Sequence, residues 1–196
     1  MPSTYVPLNA TLGFKASPVN GLWFNVFGGY RISKDELFCN LVDADGYYFT
    51  HFLQDKAKTA YGGAELKYGY KDWFDASLKG TFYSWKTDNE NEELYLVTKP
   101  KFELNFYAEA KVFEGLKVNL GYEYVQRKEY VIEEGNSSRD FGLGNISNLS
   151  VGASYTFLKD LSVFGRVNNL LNKQYYYEYG YPAEKLNVLA GLSLAF

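Results

Sequence analysis

The chain has 196 residues and a formal charge of −3, enough for one sizeable domain and short for two. Aromatic residues make up 19%, with 19 Tyr, 15 Phe and 18 Gly against one Met and one Cys, a bias that suits strands and tight turns. The near-balanced charge argues against nucleic acid, the single Cys39 excludes an internal disulfide, and no apolar run is long enough for a transmembrane helix.

The mean hydropathy of −0.30 does not exclude a membrane barrel, because alternating polar positions cancel the apolar ones in any window average. Met1 to Tyr5 has neither a basic region nor an apolar core, so no signal peptide is read there.

In chain order, period-2 alternation predicts nine strands, at 9–18, 22–31, 60–70, 74–85, 101–112, 116–127, 148–157, 161–169 and 187–196. In the second, Leu22, Phe24, Val26, Gly28 and Tyr30 oppose Trp23, Asn25, Phe27, Gly29 and Arg31. In the fifth, Phe102, Leu104, Phe106, Ala108, Ala110 and Val112 oppose Glu103, Asn105, Tyr107, Glu109 and Lys111. Val125 breaks the pattern of the sixth. Each strand approaches the 9–11 residues that a tilted strand needs to cross a bilayer, and no stretch has a helical period.

Connections alternate in length. Short ones fall at 19–21, 71–73, 113–115 and 158–160, and parity requires an odd number of residues in each if the apolar face is to stay continuous. Gly21, Gly115 and Asp160 are placed to take the left-handed position, whereas Trp73 is not, so that turn is expected to be longer. The long connections are 32–59, 86–100, 128–147 and 170–186, the first with a small hairpin around Asp45-Gly46.

Short turns at one end and long loops at the other are the layout of an outer-membrane barrel, with the short turns periplasmic. Glu65, Lys67, Asp75, Lys79, Glu103, Glu109, Glu123 and Arg166 share one face, as a wet lumen requires. Outward aromatics gather near strand ends: Tyr30, Phe102, Tyr122 and Tyr124 towards the long loops, Phe14, Tyr70, Phe74, Tyr155 and Phe157 towards the short turns. The fold class expected is therefore all-β, an antiparallel transmembrane barrel or barrel segment of nine to ten long strands in the outer membrane, in contact with its lipid.

Arg166 to Tyr175 runs as a strand into Asn169-Leu170-Leu171-Asn172-Lys173-Gln174-Tyr175, followed by Gly180-Tyr181-Pro182 and a last strand with Val188, Ala190, Leu192, Leu194 and Phe196 on one face. This stretch resembles the C-terminus of TonB-dependent outer-membrane receptors. The resemblance implies a transport receptor and makes Val188, Ala190, Leu192, Leu194 and Phe196 a signal for the barrel-assembly machinery. Complete receptors of that kind resemble barrels of about 22 strands with a globular plug. The chain is therefore expected to be one barrel segment over 1–196 with no plug domain, completed by the remaining strands and plug of a longer receptor, with TonB reached only through that plug.

Asn168 and Asn172 are expected to bond backbone where the strand leaves the sheet. Tyr175, Tyr176, Tyr177, Tyr179 and Tyr181 are expected at the outer interface, as headgroup-layer anchors or as a ligand-facing platform at the barrel mouth. Two other readings fit the alternation: a self-contained small barrel with a structural or adhesive role, and a soluble β-rich binding protein.

His51 is the only histidine and falls in a long connection, so no metal site or cofactor is expected. Asp43, Asp45 and Gly46 lack the later ligands of a calcium loop, and 88–93 reads as a solvated acidic tip. No nucleophile with a base is legible, so the chain is read as a non-enzyme.

Overall fold

The computed structural model describes residues 4–43, 47–88, 92–129, 131–134, 137–140, 142–178 and 180–194, with backbone alone for 39–52, 92–94 and 131–140. Its elements are β1 (Tyr5–Val19), β2 (Leu22–Asp43), β3 (Tyr47–Tyr70), β4 (Phe74–Thr87), α1 (Glu92–Val97), β5 (Pro100–Phe113), β6 (Leu116–Arg127), β7 (Val131–Glu134), β8 (Ser137–Asp140), β9 (Ile146–Leu158), β10 (Leu161–Asn168), β11 (Tyr176–Glu178), β12 (Tyr181–Pro182) and β13 (Asn187–Leu194). Nine strands form one sheet in the order β1-β2-β3-β4-β5-β6-β9-β10-β13, while β7–β8 and β11–β12 are separate two-stranded pieces. Every neighbouring pair in the large sheet is antiparallel. The fold is thus all-β with the nine long strands that the alternation predicts. Among the described residues no pairing joins β1 to β13, and each keeps one edge open.

The register separates the two faces across the sheet. One row reads Lys15, Asn25, Glu65, Lys79, Asn105, Glu123 and Asn148 on successive strands. The row beside it reads Ala16, Phe24, Leu66, Leu78, Phe106, Tyr122 and Leu149. Slipping one strand by one residue would exchange its rows, so the contrast itself fixes the register. The apolar face is exposed over its whole width, from Leu12 at 84% to Leu192 at 71%. A lipid-facing surface has this composition, and a water-facing one rarely exposes so large an apolar patch.

Aromatic contacts form two bands on that face: Phe82, Phe102 and Tyr124 towards the long loops, and Tyr68, Tyr70, Trp73 and Phe74 with Phe113, Tyr155 and Phe157 towards the short turns.

The structure corrects several expectations. The hairpin expected around Asp45-Gly46 is there, with Leu41 opposite Phe49, Val42 opposite Tyr48 and Asp43 opposite Tyr47, but it is not a small one at the tip of a loop. Residues 32–43 and 47–59 are the upper halves of β2 and β3, which stay paired from Leu22↔Tyr68 to Asp43↔Tyr47. At about 3.3 Å per residue the extension beyond Ile32 reaches roughly 40 Å. His51 lies in β3 opposite Cys39 rather than in a loop, and Asp45-Gly46 lies outside the described residues. The connection 86–100 contains α1, a single helical turn and a half.

Three short turns have two residues instead of three: Asn20-Gly21, Glu114-Gly115 and Lys159-Asp160. A bulge in the adjoining strand supplies the odd residue, so parity is conserved by a different route. The fourth turn has three residues, Lys71 to Trp73, and its left-handed position is Lys71 at φ 53°. Gly21 and Gly115 take the left-handed positions expected of them, at φ 82° and 87°. A Cβ on Gly21 would lie 2.0 Å from the Gly69 carbonyl oxygen, so glycine is required there for space as well as for φ.

Candidate functional site

Buried apolar side chains gather mainly in two clusters, both at the long-loop end. One holds Phe38, Ala57 and Tyr95 with Trp85 and Leu96 against it; the other holds Val125, Ile146 and Tyr175 with Ala183. They anchor two pieces of the barrel mouth.

The second piece begins where β10 ends. Asn169 is fully buried in a left-handed conformation at φ 49°. Its backbone N–H donates to Asn148 Oδ1 at 3.1 Å. Its side chain donates to the carbonyls of Lys173 (2.8 Å) and Glu184 (3.0 Å) and accepts from the Lys173 N–H (3.2 Å). One amide thereby ties the turn after β10 to the segment before β13. Asn172, at φ 50°, accepts from the Leu186 N–H at 3.3 Å, as expected of it. Asn168 instead donates to the Asn187 side chain at 2.9 Å. The sequence reading missed Asn169, although the Asn-Leu-Leu-Asn spacing contains it.

The tyrosines divide. Tyr175 is not a headgroup anchor: it is 5% exposed and packs on Val125 and Ile146. This explains why Val125 breaks the alternation of β6, since it is an apolar residue on the lumen-side face beneath a tyrosine. Tyr177 stands edge-on to Tyr175, 5.5 Å between centroids, and donates its hydroxyl to Glu123 Oε2 at 2.8 Å. Burial, and then the Glu123 hydrogen bond and charge, push the Tyr177 phenol well above its ordinary pKa, so it stays a donor. The Tyr176 hydroxyl accepts from Gln174 at 2.9 Å, and its carbonyl accepts from Arg127 Nη1 at 2.6 Å. Tyr181 is 73% exposed, and Tyr179 lies outside the described residues. Tyr175, Tyr177, Glu178, Tyr181, Asn168 and Asn187 help to line an open cavity of about 460 Å³.

The first piece carries an aromatic column that the sequence reading did not find. On the lumen face Tyr61 packs near Tyr83 (6.3 Å), Tyr83 stacks on Trp85 (6.0 Å), and Trp85 meets Tyr95 edge-on (6.2 Å). Tyr83 donates to Glu103 at 2.8 Å. Lys99 sits over Tyr95 and Trp85 and pairs with Glu36, which also accepts from Tyr95 (2.9 Å) and Ser33 (3.0 Å). Burial alone would raise the Glu36 pKa, but the Lys99 hydrogen bond and charge, with Tyr95 and Ser33, outweigh it and hold it below the ordinary carboxylate range.

Of the acidic tip, Asp88 pairs loosely with Lys56 and Lys58, and Glu92 and Glu93 begin α1. Among the described residues no three His, Cys, Asp or Glu side chains group as a metal site.

In β13, Val188, Ala190, Leu192 and Leu194 share the outward face opposite Val167, Gly165, Val163 and Leu161. Phe196 lies outside the described residues.

Against solved structures the chain aligns along nearly all of its length. It matches the pyoverdine outer-membrane receptor FpvA of Pseudomonas aeruginosa bound to pyoverdine, with a TM-score of 0.70 at 16% identity, over 96% of this chain and 29% of that one. It matches the ferric enterobactin receptor PfeA of the same organism at 0.65 and 18% identity, over 96% and 31%. It also matches the copper transporter OprC at 0.65 and 12% identity, over 96% and 31%.

The chain has the barrel fold of TonB-dependent outer-membrane receptors. It spans under a third of the length of the receptors cited. No family model and no curated protein matches the sequence. The polar row from Lys15 to Asn148 runs across one face of this sheet, and both buried clusters stand at its long-loop end.

Proposed function

We propose that the chain forms the C-terminal wall section and several mouth loops of a TonB-dependent importer that takes a metal or metal-chelate ligand across the outer membrane. The observation that carries this reading is the agreement of nearly the whole chain with receptors whose cargoes differ, pyoverdine, ferric enterobactin and copper among them. What supports the reading is that they and this chain share one fold of long antiparallel strands. Function lives in sites set on a fold, so the ligand class is an inference from likeness.

In this reading Tyr177 and Tyr181 face the ligand, with Tyr176 and Tyr179 beside them and Tyr175 as their foundation. The remaining strands and a plug belong to the rest of the receptor, and TonB acts through that plug. Val188, Ala190, Leu192, Leu194 and Phe196 form the mark read by the barrel-assembly machinery. The fold's likeness to receptors and transporters supports a non-enzymatic role.

The test is uptake by cells that carry the full-length receptor as their sole route for a ferric or cupric chelate, with TonB present or deleted. Uptake that depends on TonB supports the reading, and uptake that persists without TonB sinks it. Deleting Phe196 in the same cells is expected to abolish insertion while refolding into lipid in vitro suffers far less. Normal insertion would reduce Phe196 to an ordinary interfacial aromatic.

A further inference from the structure

The outward face is not uniform. On β3 its residues descend as Lys56, Lys58, Ala60, Gly62, Ala64 and Leu66, so three small side chains follow two lysines. Gly62 stands opposite Gly28 on β2, and Ala64 opposite Gly80 on β4. The result is a trough along β3, about 550 Å³ in volume. Phe24 and Val26 wall it on one side, and Leu78, Phe82, Phe102 and Leu104 on the other.

Above the trough the same face turns basic. Lys34 pairs directly with Lys56, and Lys58 with Lys86. Their orientation is fixed by the residues between them: Ser33, Ala57 and Thr59 are buried on the opposite face. Like charges directly opposite each other on adjacent strands are destabilising. Two such pairs side by side are an arrangement that folding does not favour. Among the described residues, Asp88 is the carboxylate that ion-pairs with this group, at 3.8 Å from Lys56 and 3.5 Å from Lys58. Two of the four ammonium groups, Lys56 and Lys58, therefore share one loosely held carboxylate. From Lys58 to Gly62 is four residues, about 13 Å along the strand, the vertical order of a charged headgroup above a buried chain.

We propose that this trough and the lysines above it are a lipopolysaccharide site: lipid phosphate lies on Lys34, Lys56, Lys58 and Lys86, and one acyl chain lies over Ala60, Gly62 and Ala64. The proposal rests on the reading that the chain sits in the outer membrane with its long loops outward. Charge selects the occupant. A zwitterionic lipid brings no net anion to relieve the lysine pairs, and a phosphate without an acyl chain leaves the trough uncovered. A phosphorylated lipid with several chains answers both features at once.

Gly62 gives a clean probe of the trough. A Cβ there would meet its nearest atom, the Phe27 carbonyl oxygen, at an ordinary 3.7 Å, so the strand accommodates a side chain that fills the space above it. The experiment uses the full-length protein in phosphatidylcholine nanodiscs, titrated with bisphosphorylated lipid A or with phosphatidylglycerol, with bound lipid read by native mass spectrometry and strand content by circular dichroism. Wild type is expected to take lipid A well ahead of phosphatidylglycerol and to release it as salt rises.

Lys58→Gln with Lys86→Gln is expected to weaken lipid A binding at least about tenfold, as loss of two surface lysines near anionic lipid implies. Gly62→Leu is expected to weaken it comparably with all four lysines in place. Equal uptake of phosphatidylglycerol by wild type, or salt-independent binding, overturns the site even if a variant fails to fold. So does undiminished binding in either folded variant. A protein that does not enter the bilayer overturns the outer-membrane reading and the site together. One that inserts with full strand content and ignores lipid A overturns the site alone.

Discussion

The two pieces of the mouth are held by opposite means. The β2–β3 arm is kept upright by a small apolar and aromatic core, Phe38, Ala57, Tyr95, Trp85 and Leu96, closed by the Glu36–Lys99 pair. The link from β10 to β13 is kept by hydrogen bonds that converge on one buried amide, Asn169, with Tyr175 and Ala183 as a minor apolar contact. Burial is tolerant of direction and forgiving of local shape. A polar hub is not, because each bond has a fixed length and angle. The arm suits a long projection with slack along its length, and the hub suits a short link whose loop must be aimed.

Substitutions at the two anchors test this contrast. Tyr95→Ala removes a fully buried ring and is expected to cost about 3–5 kcal/mol locally, the range for large-to-small changes of buried aromatics. Hydrogen exchange should accelerate in the upper halves of β2 and β3 and stay unchanged in 169–187. Exchange that rises in both pieces would mean that the mouth is one cooperative unit.

Asn169→Ala is expected to cost about 3 kcal/mol, near 1 for each of three side-chain bonds, with an added penalty because alanine tolerates positive φ less well than asparagine. Asn169→Gly removes the bonds and spares the φ penalty, so it should be the milder of the two. If alanine and glycine behave alike, the left-handed conformation contributes nothing.

Tyr177→Phe is a smaller perturbation, about 1 kcal/mol for one hydrogen bond to Glu123. It should loosen β11 and β12 by exchange and leave Tyr175 in place by fluorescence.

The smallest effect is acid sensitivity of the arm. Glu36 has a lowered pKa in the folded protein, so its contribution is present above the unfolded carboxylate value and is lost as pH falls through the folded one. Exchange in the arm should rise in that acid window, and Glu36→Gln should remove the dependence. An unchanged acid response in Glu36→Gln would assign it to another group.

The long strands and the two faces were legible because one face of the sheet is apolar and the other polar, and the contrast prints a period of two on the sequence. Higher on β2 and β3 the buried side mixes polar and apolar residues, Ser33, Gln54 and Thr59 with Phe38 and Ala57, and the contrast fades. There the chain also kinks at Asp35, φ 54°, so that Ser33 and then Glu36 face the lumen-side core. A reader following strict alternation loses the strand at that point.

Helix α1 has six residues, too few to show a period of 3.6. The Tyr175 to Tyr181 cluster announced itself by composition, but composition does not say which tyrosines turn inward. Val125, an apolar residue out of phase, was the available sign that something on the lumen side covers it.

The strand order has a kinetic consequence. The large sheet follows the chain, stepping over other elements at β6–β9 and β10–β13. Each strand needs only one neighbour already in place as its template, so assembly can proceed hairpin by hairpin without waiting for distant partners. Closure entropy grows slowly with length, and doubling the link between β6 and β9 would cost only about 0.6 kcal/mol. The upper connections are free to lengthen and diverge at little cost to the order in which the wall is built.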